Sequence, residues 1–218
     1  MNGRSAGILL PITSLPSKYG IGDFGSEALS FAKFLDDAGQ KIWQVLPLTT
    51  IDPGCGNSPY SPTSAFAGNF LLTSPDLLLE ENLILPEELD KIAAKYDFTK
   101  NPGKADYETA REFKTEILNA AYKRYLKTGD GKFEKFKKET SWLKDFAYFS
   151  VIKQANAGAP WYEWSDELKH RDPDALKKFG KEYSNEIARQ EFYQFVFFSQ
   201  ALNLKKHLHE LNIELVGD

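Results

Sequence analysis

The residues best equipped for chemistry stand close together in one run, GCGNSPYSPTSAFAGN, which holds Asn57, Ser58 and Tyr60. An amide, a hydroxyl and a phenol ring so placed admit two readings. Asn, Ser and Pro make turns through side-chain-to-backbone bonds, and a tyrosine beside them simply packs. Alternatively, the ring offers a face to the apolar side of a pyranose, and the amide and hydroxyl match its equatorial hydroxyls. Spacing alone leaves both readings open. A second position of interest is Gly217-Asp218. As sequence, Asp218 is a lone carboxylate of the kind water solvates. At the C-terminal end of a buried strand it would stand where catalytic groups collect in parallel barrels.

Other candidates carry less. The segment Gly20-Ile-Gly-Asp-Phe-Gly25 matches G-x-G-x-x-G and lies between a strand and a helix. A dinucleotide fingerprint needs its first glycine at the strand end and an acid at the end of the next strand. Here residues 13–19 intervene, and the second strand ends in Pro47-Leu48-Thr49. The glycines fit a tight loop better. Trp161, Tyr162 and Trp164 are expected to pack in a core rather than to form a sugar platform. His207 and His209, two apart on a helix, point about 200° from each other and cannot share a metal. No metal or cofactor is expected. Asn69 and Phe66 are expected to shape the loop after Tyr60.

These groups need elements to hold them. Ile42-Trp43-Gln44-Val45-Leu46-Pro47-Leu48 is a short run bounded by Gly and Pro, read as a strand buried on both faces. Pro47 ends it, having no N–H for a ladder. Residues 7–12, GILLPI, form a similar earlier strand. Between them, Ala28, Phe31, Ala32, Leu35 and Ala38 recur at helical spacing, with Ser26 as the N-cap and Gly39 just past the end. Strand, helix, strand makes a βαβ unit. Loops at the C-terminal ends of parallel strands carry function, which places residues 54–69 at the ligand.

From Ser74 onward the pattern is helical. Pro86 with Glu87 and Glu88 marks a helix start. Residues 106–126 and the stretch around Trp142, Phe146 and Phe149 show helical spacing, and no strand is expected between Ser74 and Gln190. A helix over residues 186–211 is apolar nearly all round at its start, and Ile213-Glu214-Leu215-Val216 begins a third strand. The expected organisation is residues 1–73 as two barrel strands with an active-site loop, residues 74–189 as a helical insertion, and residues 190–218 as a return helix with a third strand. Three strands cannot close a barrel, so the chain is expected to be the N-terminal part of something longer.

The composition is that of a globular protein: 218 residues, 42% hydrophobic and 27% charged, with a net charge of −4. That balance argues against a nucleic-acid surface. No apolar run approaches the roughly 20 residues of a membrane span. A single cysteine, Cys55, excludes an internal disulfide and fits a reducing cytoplasm.

Three blocks, LLPITSLPSKYGIGDFG, AGQKIWQVLPL and SPYSPTSAFAGN, resemble the start of the 4-alpha-glucanotransferases, also called amylomaltases or disproportionating enzymes. WYEWSDELKHRDPDAL and the run from Glu191 to Asp218 agree, in the right order. The resemblance implies an α/β fold, the first part of a (β/α)8 TIM-type barrel with a large helical insertion after the second strand. It implies transfer of α-1,4-glucan segments between maltodextrins by a retaining double displacement. It favours the sugar-binding reading of Tyr60, Ser58 and Asn57. It gives Asp218 a supporting role at the glucose next to the scissile bond, not that of nucleophile. The nucleophile and the acid/base are expected on later strands, so these residues alone should be inactive. Cys55 departs from relatives that carry an aromatic residue there, associated with a second glucan-binding surface. Cysteine cannot stack on a sugar ring, which leaves a second site at that place open. Maltodextrins are the expected partners, with no nucleic acid, no membrane and no particular oligomer. Two alternatives remain: a non-catalytic carbohydrate-binding or scaffold fragment, and a nicotinamide-dependent oxidoreductase built on residues 20–25.

Overall fold

The computed structural model describes residues 4–100 and 103–218. Three short strands, β1 (Gly7–Leu9), β2 (Ile42–Val45) and β3 (Glu214–Gly217), form one parallel sheet in the order β1-β2-β3. Trp43, in the middle, stands opposite Ile8 on one side and Leu215 on the other. β2 stops at Val45, earlier than the apolar run to Leu48 suggests. Past Pro47 the chain leaves the sheet and pairs elsewhere: Asn69 N donates to Leu48 O at 2.9 Å, and Thr50 N to Ala67 O at 3.0 Å.

Burial on both faces does not hold in this chain. Trp43 and Val45 are fully buried, whereas Ile42 and Gln44 are only partly so. The covered face packs on the helix α1 (Ser26–Asp37), where the Phe31 ring meets Trp43 edge-on at 4.8 Å. The Trp43 indole N–H is satisfied by Leu10 O at 2.8 Å. On the other face Leu9 and Val216, both exposed, flank Gln44.

α1 buries Ala28, Ala32 and Leu35, the stripe its spacing predicts, and ends on Gly39 at φ +66°. Its N-cap is Gly25 rather than Ser26, and Asp23 Oδ1 takes the Gly25 N–H at 3.0 Å. A side chain at Gly25 would bring its Cβ within 2.5 Å of Ser74 Oγ, so close packing there requires glycine.

Among the described residues no strand lies between Ser74 and Gln190, and helices fill the interval. They are α2 (Pro75–Glu80), α3 (Pro86–Ala93), α4 (Tyr107–Thr128), α5 (Lys132–Glu139), α6 (Leu143–Ala155), α7 (Asp166–Lys169), α8 (Pro173–Glu182) and α9 (Ser184–Glu210). None is long and apolar enough to cross a membrane. Pro86 stands at the first turn of α3, and Glu88 reaches back to the Leu85 N–H at 2.9 Å.

The chain divides into two units, one running to Thr128 and resuming over Val196–Asp218, the other Gly129–Phe195. By packing, the helical unit runs from Gly129, within the 74–189 span expected to be helical. Residues 74–128 belong with the sheet because α4 supplies Ala110 to a cluster with Ile21, Ile51 and Leu71. The helical unit has its own core of Ala147, Val151, Ile152, Trp164, Phe179 and Ile187. Trp164 packs as expected, its N–H donating to Ala159 O at 3.0 Å. Trp161 and Tyr162 do not. They sit on a 3-10 turn, Trp161–Glu163, that leaves both rings exposed.

Candidate functional site

The loop leaving β2 is fastened before it reaches Tyr60. Thr49 and Gly68 form an antiparallel bridge that closes its base. Asp52 caps the 3-10 turn Pro53–Cys55, accepting from Gly54 N at 2.8 Å, and its carbonyl takes the Asn57 N–H at 3.1 Å. Asn57 adopts φ +56°, a left-handed geometry that asparagine tolerates better than most residues. Its Oδ1 accepts from Arg111 Nη2 on α4 at 3.0 Å. Ser58 Oγ accepts from Tyr60 N at 3.2 Å, a local turn bond.

At the tip, the Tyr60 hydroxyl donates to Asp218 Oδ2. Asp218 directly follows β3, so groups from the C-terminal ends of two neighbouring strands meet here. The bond to the carboxylate holds the phenol proton and raises the Tyr60 pKa above its ordinary 10.0. Tyr60 remains 60% exposed, so its ring is open to a ligand.

The two sequence readings therefore coexist. Ser58 and Asn57 do make turn chemistry, through acceptor oxygens that are already engaged. What they keep is donor capacity, one O–H on Ser58 and the NH2 of Asn57. A ring face, two donors and a carboxylate are the functional groups that polyhydroxylated ligands require.

Beside them a cavity of about 190 Å³ opens between the segments that follow β1 and β2, lined by Thr13, Leu48, Asn57, Pro59 and Tyr107 among others. It is smaller than the roughly 300–1,000 Å³ of sites that enclose a small molecule, so it would not enclose a sugar by itself.

Two residues that sequence reasoning passed over hold this region together. Arg111 is half-buried and reaches Asn57 from 54 positions away; burial lowers its pKa, and Asp52 opposes that shift. Lys114 is fully buried, donating to Asp23 Oδ2 at 3.0 Å and to Leu71 O at 2.7 Å. Arg111 lies at the edge of the apolar stripe of α4, where spacing does not separate an inward cation from a solvated one. Lys114 stands within that stripe, four residues after Ala110 and three before Ile117, a signal that was there to be read. Asn69, read as a loop-shaping residue, is buried and accepts from Leu71 N at 3.1 Å. Phe66 is instead exposed.

The glycines of residues 20–25 serve packing. A Cβ at Gly22 would lie 2.0 Å from Ile12 O, so the place where a pyrophosphate would approach is filled by the turn Ile12–Ser14. Cys55 is exposed and unpaired in any disulfide. His207 and His209 stand in the last turn of α9, and the described residues contain no group of three or more His, Cys, Asp or Glu placed to hold a metal.

Comparison with known proteins finds relatives over nearly the whole chain. The family profile described as 4-alpha-glucanotransferase matches residues 10–218. A 4-alpha-glucanotransferase of Aquifex aeolicus is 44% identical over 99% of this chain and 42% of its own length. That of Thermus thermophilus is 36% identical, again over 99% and 42%. A solved amylomaltase from Streptococcus agalactiae, in complex with acarbose, superimposes at a TM-score of 0.91 with 34% identity, covering 99% of this chain and 43% of that one. The amylomaltase of Corynebacterium glutamicum, at 17% identity and a TM-score of 0.61, shares the fold. The chain spans about two fifths of the length of the relatives it matches. Its sequence and α/β fold place it, by these measures, in the 4-alpha-glucanotransferase family.

Proposed function

We propose that these residues form the N-terminal part of the glucan-binding cleft of a 4-alpha-glucanotransferase, which moves α-1,4-glucan segments between maltodextrins. The observation that carries this reading is the bond from the Tyr60 hydroxyl to Asp218 at the C-terminal end of the sheet. In this reading the three strands are the first staves of a (β/α)8 barrel, and the helical unit is inserted after the second. The Tyr60 ring stacks on a glucose face, Asp218 accepts from a sugar hydroxyl, and Ser58 and Asn57 donate to others.

The chemistry is retention by double displacement. One carboxylate forms a glycosyl-enzyme, a second acts as acid and then base, and water is excluded so that a sugar hydroxyl completes the transfer. Those two carboxylates belong to strands outside these residues, and Asp218 supports the sugar between them. The lone exposed Cys55 favours a reducing, cytoplasmic setting.

The test is glucose release and chain lengthening from maltotriose. With the full-length enzyme, Tyr60→Ala and Asp218→Asn are each expected to lower kcat/KM by at least about tenfold, the loss of one transition-state contact. Residues 1–218 alone are expected to give no product. Unchanged kcat/KM in both variants would remove the site from the reaction, and turnover by the isolated chain would refute the division of labour.

A further inference from the structure

The helical unit contains a cavity of about 710 Å³, within the range of sites that enclose a small molecule. Its floor is apolar, with Phe149 and Trp164 rings 5.4 Å apart above Ile152. At its edge stands Trp161, 55% exposed, a large apolar ring left facing water.

The rim is cationic. Lys144, Lys169, Arg171, Lys177 and Lys181 line it, against the single carboxylate of Asp145. Asp145 is held by Arg171 at 2.7 Å, and Lys169 by Asp166 at 2.7 Å. Lys144, Lys177 and Lys181 make no ion pair among the described residues. Lys177 and Lys181 are one helical turn apart on α8, so their ammonium groups can close on one anion. Such a cationic rim is unexpected in a chain with a net charge of −4.

We propose that this cavity binds a phosphorylated saccharide. The hexose ring stacks on Trp161, and the phosphate monoester sits between Lys177 and Lys181, with Lys144 opposite on α6. The exposed Asp145–Arg171 pair offers an acceptor and donors that span neighbouring hydroxyls. A neutral glucan would use the indole but leave the ammonium groups of Lys177 and Lys181 unanswered, Lys144 already lying 5.8 Å over the Tyr148 ring. A nucleobase edge would find no amide among the lining side chains. This site is independent of the glucan cleft, and its test separates the two.

The experiment is calorimetric titration of the full-length protein with glucose 1-phosphate and glucose 6-phosphate, with glucose, inorganic phosphate and AMP as comparison ligands. At least one hexose phosphate is expected to bind with a Kd below about 1 mM, and glucose and phosphate at least tenfold more weakly. Lys177→Glu/Lys181→Glu, two exposed positions, is expected to weaken hexose phosphate at least about tenfold, and Trp161→Ala about tenfold. Raising salt should weaken it further. Tyr60→Ala should leave it unchanged. No binding at 10 mM, a Kd indifferent to the lysine pair, or AMP binding more tightly than either hexose phosphate would each overturn the proposal. So would loss of binding in Tyr60→Ala, which would move the ligand to the end of the sheet.

Discussion

Tyr60 and Trp161 are both exposed aromatic rings beside a cavity, but their surroundings are assembled in opposite ways. Tyr60 meets Asp218 across 158 positions of sequence, and its neighbour Asn57 meets Arg111 across 54. Everything around Trp161 comes from residues 144–181. The first site exists only once distant segments have been brought together; the second follows from the packing of consecutive helices. The means of support differ accordingly. In the sheet unit, buried polar groups bridge distant elements: Gln200 receives the Ser74 N–H at 2.6 Å and returns a bond to Ser74 O at 3.2 Å, and Lys114 joins Asp23 to Leu71. Among the described residues the helical unit buries one polar side chain, Gln194, and the packing around Trp164 comes from apolar groups. Polar bridges have few alternative partners and fix one geometry, whereas apolar contacts tolerate adjustment.

The largest expected effect breaks the strongest of these bridges. Lys114→Met leaves Asp23 and Leu71 O without their buried partner and is expected to cost about 3–5 kcal/mol in urea unfolding. Asp23→Asn/Lys114→Met removes the stranded charge and keeps an oxygen for the Gly25 N–H, so much of that loss should return. A single-variant cost below about 1 kcal/mol, the scale of a surface pair, would mean that the sheet unit does not depend on polar bridging.

Next in size is Gly68→Ala. Its Cβ would fall 2.1 Å from Cε1 of Phe197, whose ring is buried in the sheet core. The ring is packed among buried core side chains, and overpacking of this kind costs about 1–3 kcal/mol. The unfolding midpoint of the variant measures it.

A subtler effect concerns the Tyr60–Asp218 contact itself. The carboxylate accepts the phenol proton and opposes a second negative charge, so the Tyr60 pKa lies above 10.0. Asp218→Asn removes that charge, and the Tyr60 pKa should fall toward its ordinary value. The readout is the phenolate absorbance of each protein against the same protein carrying Tyr60→Phe. Identical titrations with Asp and Asn at position 218 would show that the two groups do not meet in solution.

How much of this was open to a reader of the sequence follows the same divide. The strands, α1 and its Gly39 stop could be read because each depends on local pattern and turn chemistry. The placement of Tyr60 near Asp218 followed from the rule that parallel strands gather their loops at one end. Arg111, at the edge of the apolar stripe of α4, stays hidden because a helical cation there reads the same whether its partner is water or a residue far away in the chain. Lys114 stands inside the stripe, so its burial was legible but its partners Asp23 and Leu71 were not. The cavity in the helical unit stayed hidden for another reason. The tendency of aromatic rings to serve burial assigns Trp161 to a core, and periodicity tells which helix face is apolar, but neither says whether facing helices close the space between them. The change of pattern at Ser74 suggests a boundary there because α2, α3 and α4 look no different in sequence from helices of a separate unit; contacts such as Ala110 with Leu71 and Lys114 with Asp23 group α4 with the sheet.

The smallest expected effect is the sharpest comparison. Gly180→Ala, like Gly68→Ala, places a methyl group on an aromatic residue, 1.9 Å from the Tyr148 hydroxyl. Here the atom in the way is the tip of a half-buried side chain that borders the cavity, and it can swing aside. Displacing Tyr148 costs about 0.5–1.5 kcal/mol at most, and alanine returns about 0.5–1 kcal/mol of helix propensity within α8. The net change should stay within about 0.5 kcal/mol, against the larger loss at Gly68. Two substitutions alike on paper would then differ because one meets a packed ring and the other meets open space. Equal losses in the two variants would mean that the helical unit is as tightly filled as the sheet core, and that its cavity is closed in solution.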